Sequence, residues 1–321
     1  MVKRASGLIA IILFVHGLYA QALKLEQKGT VVQVPALVEE KSGETVFDLS
    51  ANNFSIEDDG VQQLVHLETN EDTKPVSLCL VIQTGHNASR QADKIAGLSD
   101  LLDSVLTGPD DQVAVITFGD RPRIALDFTK EHDAVSGAID SGDSGNSGAA
   151  VFDALHMAIN MLDKVAATNS RIILLISGEH DHGSYASDAA SLTRDILSRN
   201  FSVYSLAFSG AKNGVLHGLS SMNPLAMSAG AMQRNVPGVV AELTGGDFYH
   251  FDSQKNFEDD FEKIASHVHN RYSLTYIPNN PQPGLHSLRV NVVDIKANVV
   301  AARKGYWVSE SNKSEATAGS K

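Results

Sequence analysis

Residues 78–82 read LCLVI, five apolar residues in succession, and the run passes directly into Gln83-Thr84-Gly85-His86-Asn87. An apolar run with no polar alternation needs cover on both faces, which is the condition of a strand inside a parallel sheet with helices on either side. Parallel strands cannot be joined by tight turns, so such a strand commits the neighbouring chain to crossover helices. The polar cluster at its end lies where α/β folds place their ligands, outside the carboxyl ends of the strands.

The surrounding pattern supports that reading. From residue 76 onward, β-like runs at 76–83, 112–118, 123–128, 171–177, 201–208 and 247–251 alternate with helix-like stretches. The stretches fall at 89–106, 130–139, 150–165, 188–199, 238–243 and 254–269. In the third of them Leu155, Ile159, Leu162 and Val165 share one helical face. Residues 119–122 are too few for a crossover helix, so the second and third strands are expected to pair as an antiparallel hairpin. The fold class that follows is α/β, a doubly wound, mostly parallel six-stranded sheet over 76–270.

Small β regions flank it. Residues 23–70 carry β-like runs at 30–37, 54–57 and 63–67, with turn signals at Lys41-Ser42-Gly43 and Asp58-Asp59-Gly60. The second signal favours a tight hairpin. A closing region, 271–308, offers runs at 271–277, 287–293 and 299–308, and the small, polar residues 309–321 read as a disordered tail. Met222, Met227 and Met232 in the segment 211–237 read as packing residues.

The first 22 residues differ from everything after them. Lys3 and Arg4 precede the apolar stretch 8–15, and Ala20-Gln21-Ala22 has the small-residue spacing of a cleavage site. This is the pattern of a secretory signal peptide, too short to span a bilayer. The expected product is a bacterial protein in the periplasm or the medium, with no stable membrane insertion. Its removal leaves 24 basic against 38 acidic residues, a formal charge of −14. Such a surface repels nucleic acid and anionic lipid. A single cysteine, Cys79, sits within the apolar run, so no intramolecular disulfide supports the fold and thiolate-rich zinc sites are excluded.

Three segments should meet at the carboxyl edge of the sheet: QTGHN after the first strand, SGNSGAAVFDAL before the third helix and ISGEHDHGS after the fourth strand. Their order and spacing resemble a von Willebrand factor type A domain. More narrowly, the chain resembles the VWFA-related family abundant in Acidobacteria. That family's opening β unit typically carries a DF-x-V-x-E-DG phrase, matched here by Asn53-Phe54-Ser55-Ile56-Glu57-Asp58-Asp59-Gly60. Its closing region typically has a tyrosine strand and an ARKGY phrase, matched by 272–278 and by Ala302-Arg303-Lys304-Gly305-Tyr306.

The resemblance implies a divalent-cation site built from D-x-S-x-S, a threonine and a further aspartate. In this chain the first aspartate position holds Gln83, the two serine positions hold Gly85 and Asn87, the threonine position holds Ala149 and the last aspartate position holds Gly178. Both carboxylates and all three hydroxyls are replaced. Magnesium and calcium need hard, charged oxygen ligands, and neutral amides do not offset the cost of dehydrating them. The expected site is degenerate, with no cofactor and no metal.

A different metal is the alternative. His86, His180, Asp181 and His182 should lie in the same region, and imidazole with carboxylate suits zinc, nickel or copper. The competing reading has Asp181 capping the helix that follows, with the histidines facing water. Ser177, His180 and Asp181 supply hydrolase residue types, but no G-x-S-x-G elbow is present. Gly245-Gly246 reads as a helix-to-strand turn. Asp153 reads as a first-turn helix residue, and Asp58-Asp59 and Asp110-Asp111 as turn and solvated charges. The functional expectation is an exported, non-enzymatic protein-interaction module, for adhesion or scaffolding, that binds a protein partner. The runner-up is a transition-metal-binding protein or metalloenzyme using the His86 set.

Overall fold

The computed structural model describes residues 31–68, 74–85, 88, 90–141, 147–208, 230–279 and 281–310. The signal-peptide pattern, His86, Asn87, Met222, Met227 and residues 311–321 of the tail lie outside the described residues.

The apolar run forms β5 (Val76–Gln83), every residue of which is buried. It lies inside a six-stranded sheet with β6 (Gln112–Phe118), β7 (Pro122–Thr129), β8 (Ser170–Ser177), β9 (Ser202–Phe208) and β10 (Phe248–Phe251). The order is β10-β9-β8-β5-β6-β7, parallel throughout except for the antiparallel β6–β7 hairpin. The chain leaves β5 towards β6 and later returns to β8 on the other side. The reversal of strand order, where such sheets bind ligands, therefore lies between β5 and β8.

Alternation along β5 explains the two helix layers. Cys79 and Val81 face the helices Val151–Leu162, Ala189–Leu197 and Val236–Thr244. Leu78, Leu80 and Ile82 face Leu98–Leu101, Ala134–Asp140 and Gln254–His269. Burial pushes the Cys79 thiol far above its usual pKa, so it behaves as a small apolar side chain. Met232 is fully buried in the first of these cores. The continuous helix expected over 89–106 is instead three short turns, Ala92–Ile95, Leu98–Leu101 and Leu102–Ser104. Gly97 interrupts them in the left-handed region at φ 82°, a conformation that ends a helix.

The opening and closing β regions, separate in sequence, interleave in space. One sheet runs β13 (Ala297–Ala302), β1 (Val32–Glu40), β11 (Tyr272–Tyr276), β4 (His66–Leu67). The other runs β14 (Gly305–Val308), β12 (Gly284–Val292), β2 (Phe54–Asp58), β3 (Val61–Gln62). Val34, Ile56, Leu274, Tyr276, Leu288 and Tyr306 belong to their common core. The hairpin expected at Asp58-Asp59-Gly60 is present. Asp58 pairs with Val61, and Asp59 and Gly60 have φ 48° and 81°, the signs of a type I′ turn.

This β unit docks on the amino edge of the six-stranded sheet. Arg303, 3% exposed, donates from Nε to the Gly305 carbonyl at 2.8 Å. Its Nη2 donates to the Leu197 carbonyl at 2.8 Å and its Nη1 to Asn200 Oδ1 at 2.9 Å, both on the α/β side. Burial lowers its pKa to about 10, still cationic at neutral pH. Gly245 (φ 78°) closes the Val236–Thr244 helix against the same strand end, and a Cβ there would stand 2.5 Å from the Arg303 nitrogen. Nearby, Asp247 accepts from Arg271 Nη2 at 2.9 Å and lies 3.0 Å from His267 Nδ1. Its burial works to raise the pKa, but Arg271 and His267 prevail and hold the carboxyl below the usual range. The Arg271 guanidinium also lies over the Tyr204 ring, 4.9 Å from its centroid. A cavity of about 290 Å³ sits at this junction, lined by Pro75, Arg171, Asn200, His269, Arg271 and Arg303 among others.

Candidate functional site

Gln83 ends β5, 5% exposed, at the switch point. Its Oε1 accepts the Gly178 backbone N–H at 2.9 Å, so the positions expected for the first and last aspartates meet directly. The contact is a neutral hydrogen bond between strands β5 and β8. Ser177 Oγ turns back to donate to the Gly178 carbonyl at 2.8 Å. Gly85 is buried, and its carbonyl accepts from Ala88 N at 2.7 Å. Ala149, 1% exposed, exchanges backbone hydrogen bonds with His182 at 2.8 and 2.9 Å, a two-residue bridge between the second and third loops.

Around that bridge the third loop is tied to the start of the Val151–Leu162 helix. Residue Ala150 occupies the N-cap and has no side-chain oxygen to offer. The orphan N–H groups of the first turn are satisfied from across the loop instead. Asp181 Oδ1 accepts Phe152 N at 3.1 Å, and Ser184 Oγ accepts Asp153 N at 3.1 Å. Asp181 and Ser184 are themselves joined at 2.6 Å. In return Asp153 Oδ2 accepts Tyr185 N at 3.2 Å and Ala186 N at 3.4 Å, while its Oδ1 is buried without a hydrogen-bond partner. Asp153 is 8% exposed, so it acts as a clamp on the loop as well as a first-turn acid.

The capping role expected of Asp181 is therefore present but directed at an earlier helix. The helix that follows, Ala189–Leu197, is capped by Asp188, whose side chain accepts Ser191 N at 2.7 Å. Physically, the chain needs a cap at Ala150 that its own sequence lacks, and the loop after β8 passes close enough to supply one.

His180 and His182 are exposed, and Asp181 is occupied by its helix. Among the described residues these side chains do not gather into a metal-ligating group, and His86 lies outside them. No spacing in the sequence marks the pair Glu179 and His250, whose Oε1 and Nε2 stand 2.5 Å apart beside the same edge. The two are separated by 71 positions and meet although β9 lies between β10 and β8, because the chain leaving β8 reaches across to β10. Facing outward above the edge, Tyr185 is 71% exposed and the Arg121 guanidinium lies over its ring at 5.6 Å.

Two acidic pairs read as solvated turns are half wrong. Asp111 is 4% exposed and accepts Val76 N and Gly108 N, both at 2.7 Å. Asp58 is 7% exposed, whereas Asp59 and Asp110 are exposed. In each pair one carboxylate turns inward to satisfy donors that the turn and its neighbours leave open. Among the described residues Asp58, Asp59 and His286 are the one group of potential metal ligands whose atoms all lie within 4.8 Å of one another. It stands in the β unit, away from the switch point.

Residues 83–180 match the family model of the von Willebrand factor type A domain. Among solved structures, a von Willebrand factor type A protein from Catenulispora acidiphila is 10% identical with TM-score 0.47, covering 90% of this chain and 76% of that one. The BatB protein from Bacteroides thetaiotaomicron is 13% identical with TM-score 0.42, covering 60% and 98%. The vWF domain of the type V pili tip protein Mfa5 from Porphyromonas gingivalis is 12% identical with TM-score 0.40, covering 61% and 95%. A comparison with curated proteins finds no match. The chain carries a von Willebrand factor type A-like domain.

Proposed function

We propose that this chain is an exported protein-interaction module, for adhesion or scaffolding, whose type A-like domain works without a metal at its strand edge. The observation that carries the reading is the Gln83–Gly178 hydrogen bond. At the switch point, the place where the resemblance implies a cation between two carboxylates, a neutral amide oxygen is already engaged by a backbone N–H. Gly85, Ala149 and Gly178 supply no side-chain oxygen, and Asn87 supplies no charge.

A partner is then gripped by direct contacts. Tyr185 with Arg121 stacked on it offers the side-chain chemistry that dominates protein interfaces, and His180 and His182 are exposed on the same loop. The knot of Asp181, Ser184 and Asp153 holds the loop backbone in place, so little ordering cost remains for binding. The acidic surface disfavours nucleic acid. Among the described residues no helix is long and apolar enough to cross a membrane, and the amino-terminal pattern is the basis for export.

Calorimetric titration of magnesium and calcium into the protein lacking residues 1–22 should give no stoichiometric heat. A single micromolar magnesium site abolished by Gln83→Ala would overturn the metal-free reading. For the partner, a photo-crosslinking residue at position 185 should yield protein adducts in the native envelope, while one at Lys255 on the flank should not. Equal labelling from both positions would remove the strand edge as the interaction surface.

A further inference from the structure

The β2–β3 hairpin and the neighbouring strand β12 bring together three side chains, Asp58, Asp59 and His286, whose partners are arranged with one omission. Asp58 Oδ2 accepts the hydroxyls of Tyr276 at 3.1 Å and Tyr306 at 2.7 Å. Its Oδ1 is buried and accepts no hydrogen bond. Asp59, turned by its positive φ towards β12, uses Oδ1 to accept Ser287 N at 2.8 Å and Ser287 Oγ at 3.0 Å. The remaining oxygens, Asp58 Oδ1 and Asp59 Oδ2, stand 3.4 and 2.9 Å from His286 Nδ1.

The histidine's other nitrogen decides what that juxtaposition needs. His286 Nε2 lies 2.7 Å from the Gln282 carbonyl, which can only accept, so Nε2 carries a proton. The ring is 9% exposed and stacked on Tyr306 at 4.7 Å and 18°. A neutral ring therefore points the Nδ1 lone pair at two carboxylate oxygens. Three electron-rich atoms facing one another require a cation among them, either a proton on Nδ1 or a metal ion.

We propose that Asp58 Oδ1, Asp59 Oδ2 and His286 Nδ1 form a site for a zinc-like divalent transition metal, with the fourth position open to solvent beside Asp59. Zinc bonds of about 2.0–2.1 Å to oxygen and nitrogen place tetrahedral ligands about 3.3 Å apart. The 3.4 Å edge fits, and the 2.9 Å edge needs a few tenths of an ångström of opening. Asp59, with a side chain 51% exposed, has room to give it. The outer contacts already match a metal site: the histidine's second nitrogen on a backbone carbonyl and each carboxylate's second oxygen on O–H or N–H donors. Burial and the neighbouring Asp58 carboxylate push the pKa of both tyrosines up, so they remain neutral donors. The mixed nitrogen and oxygen set selects zinc or its neighbours over magnesium. Where His286 begins as an imidazolium, the metal replaces the Nδ1 proton, which leaves to solvent. The ion would tie β2 to β12, joining strands from the two ends of the chain.

The test uses untagged protein stripped with EDTA and dialysed. Titration with zinc chloride should show one equivalent bound, with proton release that varies with the buffer's ionisation enthalpy. Cobalt chloride should give the visible absorption of a four-coordinate ion. His286→Gln and Asp59→Asn should each weaken binding more than about tenfold, since even outer-contact changes have that effect. Asp59→Asn keeps the acceptor for Ser287 and alters an exposed side chain, so it is the variant expected to fold. Absence of stoichiometric binding, or binding unchanged in the folded Asp59→Asn protein, overturns the proposal and leaves a proton as the bridging cation.

Discussion

At the carboxyl edge of the central sheet the residues that meet over the switch point, Gln83 and Gly178, make one neutral hydrogen bond. At the amino edge the β unit is held by a buried arginine, Arg303, and by a buried ion pair, Asp247 with Arg271. The contrast shows where this molecule has charge fixed. A buried charge is tolerated when a partner is aligned with it, as Asp247 is with Arg271 Nη2 and the Leu197 carbonyl with Arg303 Nη2, although Arg271 Nε and Nη1 are buried without a hydrogen-bond partner. A face reserved for a partner benefits from the opposite arrangement, with buried polar groups satisfied internally and large side chains left outside. Asp181, Ser184 and Asp153 Oδ2 are engaged with the helix start and the loop, while Asp153 Oδ1 is buried without a partner, and Tyr185 projects from them.

The largest expected effect tests the amino edge. Arg303→Met leaves the Leu197 and Gly305 carbonyls without their donor and should lower unfolding free energy by about 3–5 kcal/mol in denaturant titration. A loss under about 1 kcal/mol would mean the two units are held together by apolar contact. Next, Asp247→Asn should cost about 2–3 kcal/mol, the scale of a hydrogen bond to a charged group. Its pH signature has a definite sign. The folded pKa of Asp247 is depressed, so its contribution is present above the ordinary carboxylate pKa of about 4 and fades as pH falls through the lower folded value. The wild-type protein should lose stability below about pH 4 more steeply than the asparagine variant.

Smaller effects belong to the carboxyl edge. Gln83→Ala should cost about 1–2 kcal/mol by orphaning the Gly178 N–H, with the melting transition otherwise unchanged in shape. Asp181→Ala removes a cap supplied from a distant loop and should cost about 1 kcal/mol, with faster amide exchange confined to the first turn of the Val151–Leu162 helix. Tyr185→Ala should shift stability by less than about 0.5 kcal/mol while reducing partner capture more than tenfold. If that substitution destabilises the fold instead, the difference between the two edges disappears.

Much of the α/β unit was legible because β5, β6 and β8 each combine an apolar run with polar boundaries, and the 119–122 gap permits only a hairpin. The strand-edge positions Gln83, Ala149 and Gly178 were placed in one region by the resemblance, and the hydrogen bond between Gln83 and Gly178 could not be, since orientation of a single side chain has no periodic signal. The break at Gly97 was missed because a lone glycine in a helical pattern is usually tolerated, and only its positive φ shows that it ends a turn. The roles of Asp58 and Asp111 were misread for a related reason. Acidic pairs in turns are generally solvated, and nothing local marks which member faces inward.

Short-range pattern, then, sufficed for the buried strands and the hairpin turn: unbroken apolar runs specify buried parallel strands, and Asp-Asp-Gly specifies the β2–β3 turn, because both depend on neighbours in the chain. Contacts across hundreds of positions depended on packing. The Asp58–Tyr306 hydrogen bond spans 248 residues and the Arg303–Leu197 bond spans 106. Whether an ionisable side chain is capped, paired or left to face water follows from which donors the folded chain carries to it, and sequence spacing does not encode that.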